Sequence, residues 1–104
     1  MRSSATLSSV IVSYGSEGTR DVHYDDNTKA ARAIPRDIWP VARRKLNQIN
    51  AATELADLTS PGNNLEKLRG KLAGFYSIRV NDQWRIIFMF ENGQATGVQI
   101  IDYH

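Results

Sequence analysis

Between residues 74 and 104 the chain alternates with the signature of an antiparallel β-meander. It reads Gly74-Phe-Tyr-Ser-Ile-Arg-Val80, then Asn81-Asp82-Gln83, then Trp84-Arg-Ile-Ile-Phe-Met-Phe90. After Glu91 comes Asn92-Gly93, and the run Ala95-Thr-Gly-Val-Gln-Ile-Ile-Asp-Tyr-His104 closes the chain. Runs rich in β-branched and aromatic residues, split by short polar interruptions, predict antiparallel strands. Asn-Gly is the strongest short hairpin signal, because both residues tolerate the positive φ of a type I′ turn.

The alternation also fixes a register. Tyr76, Ile78 and Val80 share one face, as do Trp84, Ile86, Phe88 and Phe90, so these faces coincide only if the loop between the strands has an odd number of residues. A three-residue loop pairs Val80 with Trp84, Ile78 with Ile86 and Tyr76 with Phe88, and sets Arg79 opposite Arg85. Like charges directly across a ladder repel, which suggests a site for an anion. A two-residue loop at Asn92-Gly93 pairs Phe90 with Ala95 and Arg85 with Ile100. Asp102 and His104 then join the two arginines on the less apolar face and Tyr103 points the other way, an assignment that any bulge reverses.

Upstream, Val10-Ile-Val-Ser-Tyr14 is a short strand expected to join the sheet, since alone it cannot bury its apolar face. Residues 16–32 have the weak periodicity of a first helix, interrupted at Asp25-Asp26-Asn27. A second helix is expected to start with Asp37 as N-cap and Pro40 in its first turn, where a missing N–H is tolerated. Ile38, Val41, Ala42, Leu46 and Ile49 form its apolar face, opposite Arg36, Arg43, Arg44, Asn47 and Gln48. Thr53-Glu-Leu-Ala-Asp-Leu58 adds a turn of helix with Leu55 and Leu58 inward. Ser60-Pro-Gly-Asn-Asn64 is a turn by composition, and Leu65 and Leu68 anchor the segment entering the sheet. These elements make an α+β domain, with helices on one face of an antiparallel sheet. Residues 1–9 are expected to be a polar, disordered leader, and residues 10–104 a single domain.

With 104 residues there is room for one core. No apolar run approaches the ~20 residues of a membrane helix, so no membrane role is expected. The chain has no cysteine, which excludes disulfides, thiolate chemistry and cysteine zinc sites and fits a reducing cytoplasm. Net charge is only +2 but the isoelectric point is about 9.2, a balance that permits nucleic-acid binding. There is no phosphate-cradling glycine loop, nucleophile elbow or zinc spacing, and no cofactor is expected.

The chemical candidates are Lys67, Arg69, Lys71, Arg79, Arg85, Asp102, Tyr103 and His104. Arginines fork onto phosphate oxygens, an imidazole transfers protons near neutrality, and Tyr and Asp share or orient them. Those groups suffice for RNA cleavage without a metal: a base for the 2′-hydroxyl, cations for the phosphorane and an acid for the leaving oxygen. Each has a blander reading. A terminal Asp-Tyr-His is more often a frayed strand end, cross-strand arginines are often paired to carboxylates, and Arg43-Arg44-Lys45 reads as a solvated helix face. His23 beside Asp25 and Asp26 reads as surface polarity, and Trp84, Phe88 and Phe90 read as core. Composition and spacing alone stop at a small basic α+β domain with RNA binding permitted.

Longer words of the sequence go further. Ile11-Val-Ser-Tyr14, Asn27-Thr-Lys-Ala-Ala-Arg32, Ala42-Arg-Arg-Lys-Leu46, Asn50-Ala-Ala-Thr53, Pro61-Gly-Asn63, Leu65-Glu-Lys-Leu68, Ser77-Ile-Arg-Val-Asn-Asp-Gln-Trp-Arg-Ile86 and Asp102-Tyr-His104 occur in order. From Val10 to His104 the chain resembles the HigB-type killer toxins of bacterial toxin–antitoxin modules, within the RelE-like superfamily. The resemblance implies a cytoplasmic, ribosome-dependent endoribonuclease that cuts mRNA in the ribosomal A site. It also implies a helix-turn-helix antitoxin, with operator DNA reached only through the antitoxin complex. By position, Arg85 matches the family's active-site arginine, Arg69 a basic position before the glycine, and Asp102, Tyr103 and His104 the functional C-terminal trio. His104 would then transfer protons, Asp102 orient it, Tyr103 pack on the nucleotide and the arginines stabilise charge. Some relatives carry histidine where Glu66 stands, which leaves Glu66 as a possible base. His23 stands where the family pattern has phenylalanine, and Met89-Phe90 where an Arg-Trp-like pair is expected. The alternatives are a catalytically weak RNA- or ribosome-binding inhibitor and an antitoxin-bound corepressor.

Overall fold

The computed structural model describes residues 10–103, so the leader expected over residues 1–9 lies outside the described residues. Strands β1 (Glu66–Lys67), β2 (Tyr76–Arg79), β3 (Trp84–Glu91) and β4 (Gln94–Asp102) form one sheet in that order, each antiparallel to its neighbour. Tyr76 pairs with Phe88, Ile78 with Ile86 and Arg79 with Arg85, as the odd loop requires. Val80 donates its N–H to the Trp84 carbonyl (2.9 Å), and the Asn81 side chain accepts from the N–H groups of Gln83 (2.8 Å) and Trp84 (2.7 Å). That side-chain cap closes the turn without a glycine. Asn92 and Gly93 have φ of 55° and 74°, the positive pair of a type I′ turn, and Phe90 pairs with Ala95.

Beyond this hairpin the expected register fails. Ile87 pairs with Gln99 but Met89 with Thr96, so Gly97 and Val98 together face Phe88. Gly97 has φ of 61°, a conformation that costs other residues energy, and it forms the extra residue of a β-bulge. Arg85 therefore pairs with Ile101 rather than Ile100, and Asp102 with Trp84. Asp102 does not share the face of Arg79 and Arg85; Tyr103 does.

On the outer side of β4 the N-terminal segment runs parallel, with bridges from Ile11 to Ala95 and Tyr14 to Val98. The Asn50 side chain ties it to the helical layer by accepting from the Val10 (3.0 Å) and Ile11 (2.9 Å) N–H groups. Helix α1 (Glu17–His23) starts at Ser16, whose hydroxyl accepts from the Thr19 N–H at 3.2 Å. It is shorter than the segment 16–32, because Asp25 adopts a φ of 62° and breaks the helix; a 3₁₀ turn at Ala31–Ala33 follows. Helix α2 (Trp39–Ala51) has Pro40 in its first turn. Asp37 is not its N-cap: Arg36–Ile38 is a 3₁₀ turn that runs straight into the helix, and no side chain caps it. Trp39 is buried, with Nε1 donating to the Ile34 carbonyl at 2.9 Å. Another 3₁₀ turn, Leu55–Leu58, is fixed by a reciprocal capping box between Glu54 and Asp57.

The core lies between the helices and one face of the sheet. Leu46 and Ile49 of α2 and Val22 of α1 meet Ile78, Ile86, Phe88 and Val98, all with no accessible surface. Each large side chain so buried contributes about 1.5–3 kcal/mol. His23 is not surface polarity. It is nearly inaccessible, with Nδ1 bonded to the Tyr14 hydroxyl (2.6 Å) and Nε2 to the Asn47 Oδ1 (2.8 Å), and its ring stacks on Tyr24. Burial, with the neighbouring Tyr24, pushes the Tyr14 hydroxyl well above the usual phenol range. No described helix is long and apolar enough to cross a membrane.

Candidate active site

The sheet face away from α1 and α2 carries Arg79 and Arg85, and Arg85 is held by contacts on several sides. Its side chain keeps 11% of its surface exposed. Nη2 donates to the Asn64 carbonyl at 2.6 Å and reaches the Ser77 carbonyl at 3.5 Å, while Nη1 lies 3.6 Å from Glu66 Oε1. The guanidinium carbon stands 5.4 Å from the centre of the Tyr103 ring, within cation–π range. Contacts on several sides hold the guanidinium in one orientation, the kind of preorganisation that charge stabilisation needs.

Tyr103 reaches this position through two devices. The bulge at Gly97 turns it to the Arg85 face, and its N–H donates to the Gln83 carbonyl at 2.7 Å. The Gln83 side chain donates to Asp102 Oδ2 at 3.0 Å. Thus the Asn81-Asp82-Gln83 turn anchors the last described residues as well as joining β2 to β3. Asp102 lies one strand position away, on the Trp84 side. The His104 assignment lies outside the described residues.

Beside Arg85 is an open groove of about 550 Å³ lined by Glu66, Lys67, Leu68, Arg69 and Tyr103. Strand β1 and the residues after it form its wall, because Glu66 and Lys67 pair with Ser77 and Tyr76 and Leu68 donates its N–H to the Phe75 carbonyl at 2.8 Å. The structure therefore brings together Glu66, Lys67, Arg69, Arg85 and Tyr103. Lys71 lies in the 3₁₀ turn Gly70–Leu72, beyond the groove lining. Arg79 is diverted: its Nη2 meets Asp82 Oδ1 at 2.5 Å, although Asp82 is 93% exposed. So exposed a pair is weak and open to competition by another anion.

Two contributors escape a motif-based reading. One is the Asn64 carbonyl, which holds Arg85 from a turn with Gly62 at φ 93° and Asn64 at φ 45°. The other is Lys45, which is buried rather than part of a solvated helix face. Its signal was the helical period itself, since position 45 lies three residues after Ala42 and four before Ile49. Chemically, the groove offers two cations, a carboxylate and an aromatic face, with a fixed guanidinium against the last two. That set fits a phosphodiester with an attached ribose or base. Among the described residues, no three His, Cys, Asp or Glu side chains gather as metal ligands.

Comparison with known proteins gives the family and the fold. Residues 16–104 match the family described as the RelE-like toxin of type II toxin-antitoxin system HigB. Toxin HigB-1 of Vibrio cholerae serotype O1 is 45% identical over 73 residues, which is 69% of this chain and 76% of that protein. Endoribonuclease HigB of Proteus vulgaris is 40% identical over 60 residues, 58% of this chain and 65% of that one. A YoeB–YefM complex from Staphylococcus aureus contains a chain of the same fold, with a TM-score of 0.56 at 18% identity, covering 90% of this chain and 94% of that chain. With four antiparallel strands, the arginine-bearing β2–β3 hairpin and a match that spans all but its first residues, the chain belongs to the HigB-like family of RelE-like toxins of type II toxin–antitoxin systems.

Proposed function

We propose that this toxin is a ribosome-dependent endoribonuclease that cuts mRNA in the ribosomal A site without a metal ion. The observation that carries the reading is the held Arg85 guanidinium against Tyr103 and Glu66, two residues that line an open groove with Lys67 and Arg69. The name of the Proteus vulgaris relative supports the reaction class. In the reaction, a base takes the proton of the 2′-hydroxyl, the 2′-oxygen attacks phosphorus, and the 5′-oxygen leaves with a proton. Arg85 stabilises the charge that develops on the phosphorane, and Arg69 and Lys67 bind neighbouring phosphates, with Lys71 and Arg79 as outer contacts. His104 transfers protons, Asp102 orients it, Tyr103 packs on the nucleotide, and Glu66 is a second candidate base. We further propose a helix-turn-helix antitoxin as the neutralising partner; the Staphylococcus aureus chain of this fold is itself part of a YoeB–YefM complex.

The test is to map mRNA ends on ribosomes translating a defined message. Wild-type protein is expected to produce new ends within the A-site codon. Arg85→Ala and His104→Ala are expected to fold normally and to cut at least about 100-fold more slowly. Arg85→Lys should also fail, because a point charge does not reproduce the planar fork. Glu66 lies against Arg85 and Asp82 against Arg79, so carboxylates already compete for both arginines. That favours a second reading, translation blocked by occupancy alone, which wins if ribosomes bind the wild type and the message stays intact.

A further inference from the structure

Lys45 is the one cation among the described residues whose whole side chain is buried. It lies on α2, beneath the arginine-bearing face. Its Nζ donates to Asn63 Oδ1 at 2.6 Å and to the Gly62 carbonyl at 3.3 Å, both neutral acceptors. None of the ion pairs among the described residues includes it. A buried ammonium without a carboxylate is an expensive way to fill a core position, and apolar residues of similar volume often do so as well or better. The charge therefore calls for an explanation other than stability.

The turn that Lys45 grips supplies one. Asn63 is nearly inaccessible, and its side-chain amide donates to the Gln48 side chain (3.1 Å) and the Leu58 carbonyl (3.1 Å) while accepting from Lys45. Its backbone carbonyl accepts the Arg79 N–H at 2.6 Å, and the next carbonyl, that of Asn64, accepts Arg85 Nη2 at 2.6 Å. Helix α2 and the arginine of β3 are thus both hydrogen-bonded to the same turn, residues 62–64, whose backbone joins the two sets of contacts. We propose that Lys45 is a positioning residue: by clamping this turn it fixes the Asn64 carbonyl, and through it the orientation of the Arg85 guanidinium beside the groove. Burial, then the nearby Arg44, Arg79 and Arg85, lowers the Lys45 ammonium from its ordinary range, in keeping with a charge held close to the site's other cations.

The consequence for cleavage rests on the nuclease reading; the positioning itself does not, and the test separates the two. Lys45→Met keeps the length of the side chain and removes its charge and donors. In this variant the Arg85 Nε–H resonance, followed by nuclear magnetic resonance on the ribosome-free protein, is expected to broaden and move as the guanidinium gains freedom. Single-turnover cleavage on programmed ribosomes should fall about 10- to 100-fold, as small misplacements of a catalytic group do. Affinity for a message with a 2′-deoxy residue at the cut should change less than about 3-fold, because ground-state binding is not what the clamp serves. In an Arg85→Ala background, Lys45→Met should cost nothing more. An unchanged Arg85 resonance, or losses that simply add in the double variant, would overturn the proposal. If wild type leaves the message intact, the nuclease reading fails and the resonance alone decides. Should Lys45→Met not fold, Lys45→Arg, which keeps the charge and displaces the donors, is read by the same resonance, and no change there overturns the idea.

Discussion

Substituting Gly97 by alanine sets two effects of different size against each other. At φ 61° an alanine pays about 1–2 kcal/mol for the left-handed backbone. Packing adds little, because the nearest side-chain atom to a new Cβ is Phe75 Cε2 at 3.6 Å, an ordinary contact. The chain can escape this strain only by deleting the bulge and slipping the end of β4 by one residue. That slip turns Val98 (0% exposed) and Ile100 (5%) out of the core and breaks the bond from the Ile100 N–H to the Thr19 hydroxyl (2.9 Å). At about 1.5–3 kcal/mol per side chain, slipping costs roughly 3–6 kcal/mol before the lost hydrogen bond is counted. Burial wins. Gly97→Ala should keep the bulge and lose about 1–2 kcal/mol, which for a domain of this size lowers Tm by roughly 5–15 °C. Thermal unfolding measures the loss, and nuclear Overhauser contacts between the Tyr103 ring and the Arg85 side chain report the register. Unchanged Tm would mean that the glycine is not needed for its backbone. Loss of the Tyr103–Arg85 contacts in a folded variant would mean that glycine, not burial, sets the register.

Two further outcomes follow from contacts elsewhere. Hydrogen bonds from the Thr53 N–H (2.9 Å), the Thr53 hydroxyl (3.0 Å) and the Glu54 N–H (3.2 Å) hold the Asp57 carboxyl below its ordinary range. Because the folded value lies below the unfolded one, this stabilisation is complete above about pH 4 and disappears as pH falls through the folded value. Asp57→Asn should flatten that part of the acid-unfolding curve, and an unaltered slope would mean that the Asp57 carboxylate does not stabilise the fold. At Gly18 a Cβ would stand 2.6 Å from the Ala30 carbonyl oxygen, a backbone atom that cannot swing aside. Gly18→Ala should therefore destabilise by about 1–3 kcal/mol in chemical denaturation, and a neutral result would show that α1 and the segment at Ala30 separate easily.

The parity of apolar residues in β2 and β3 was enough to place Arg79 across from Arg85, because one face of each strand is buried and a one-residue slip would invert both. The same rule gave the wrong face for Asp102 and Tyr103. Its clue was Gly97 inside a strand, since a lone glycine there is a bulge signal. Lys45 was readable from the helical period and was masked by its place in a run of three cations. His23 was not readable at all, because its partners Tyr14 and Asn47 come from the N-terminal segment and from α2.

Local chemistry in the chain determined the elements and most of their pairing: alternation defines strands, Asn81 and Asn92-Gly93 close turns, and apolar spacing orients α2. Tertiary structure decided which polar groups converge. Arg85 is aimed by a carbonyl twenty-one residues earlier in the sequence, and that carbonyl's turn is held by an ammonium on a helix packed behind the sheet. Hydrogen bonds between distant residues depend on the position and direction of whole elements, and neither periodicity nor composition encodes these until the core has packed.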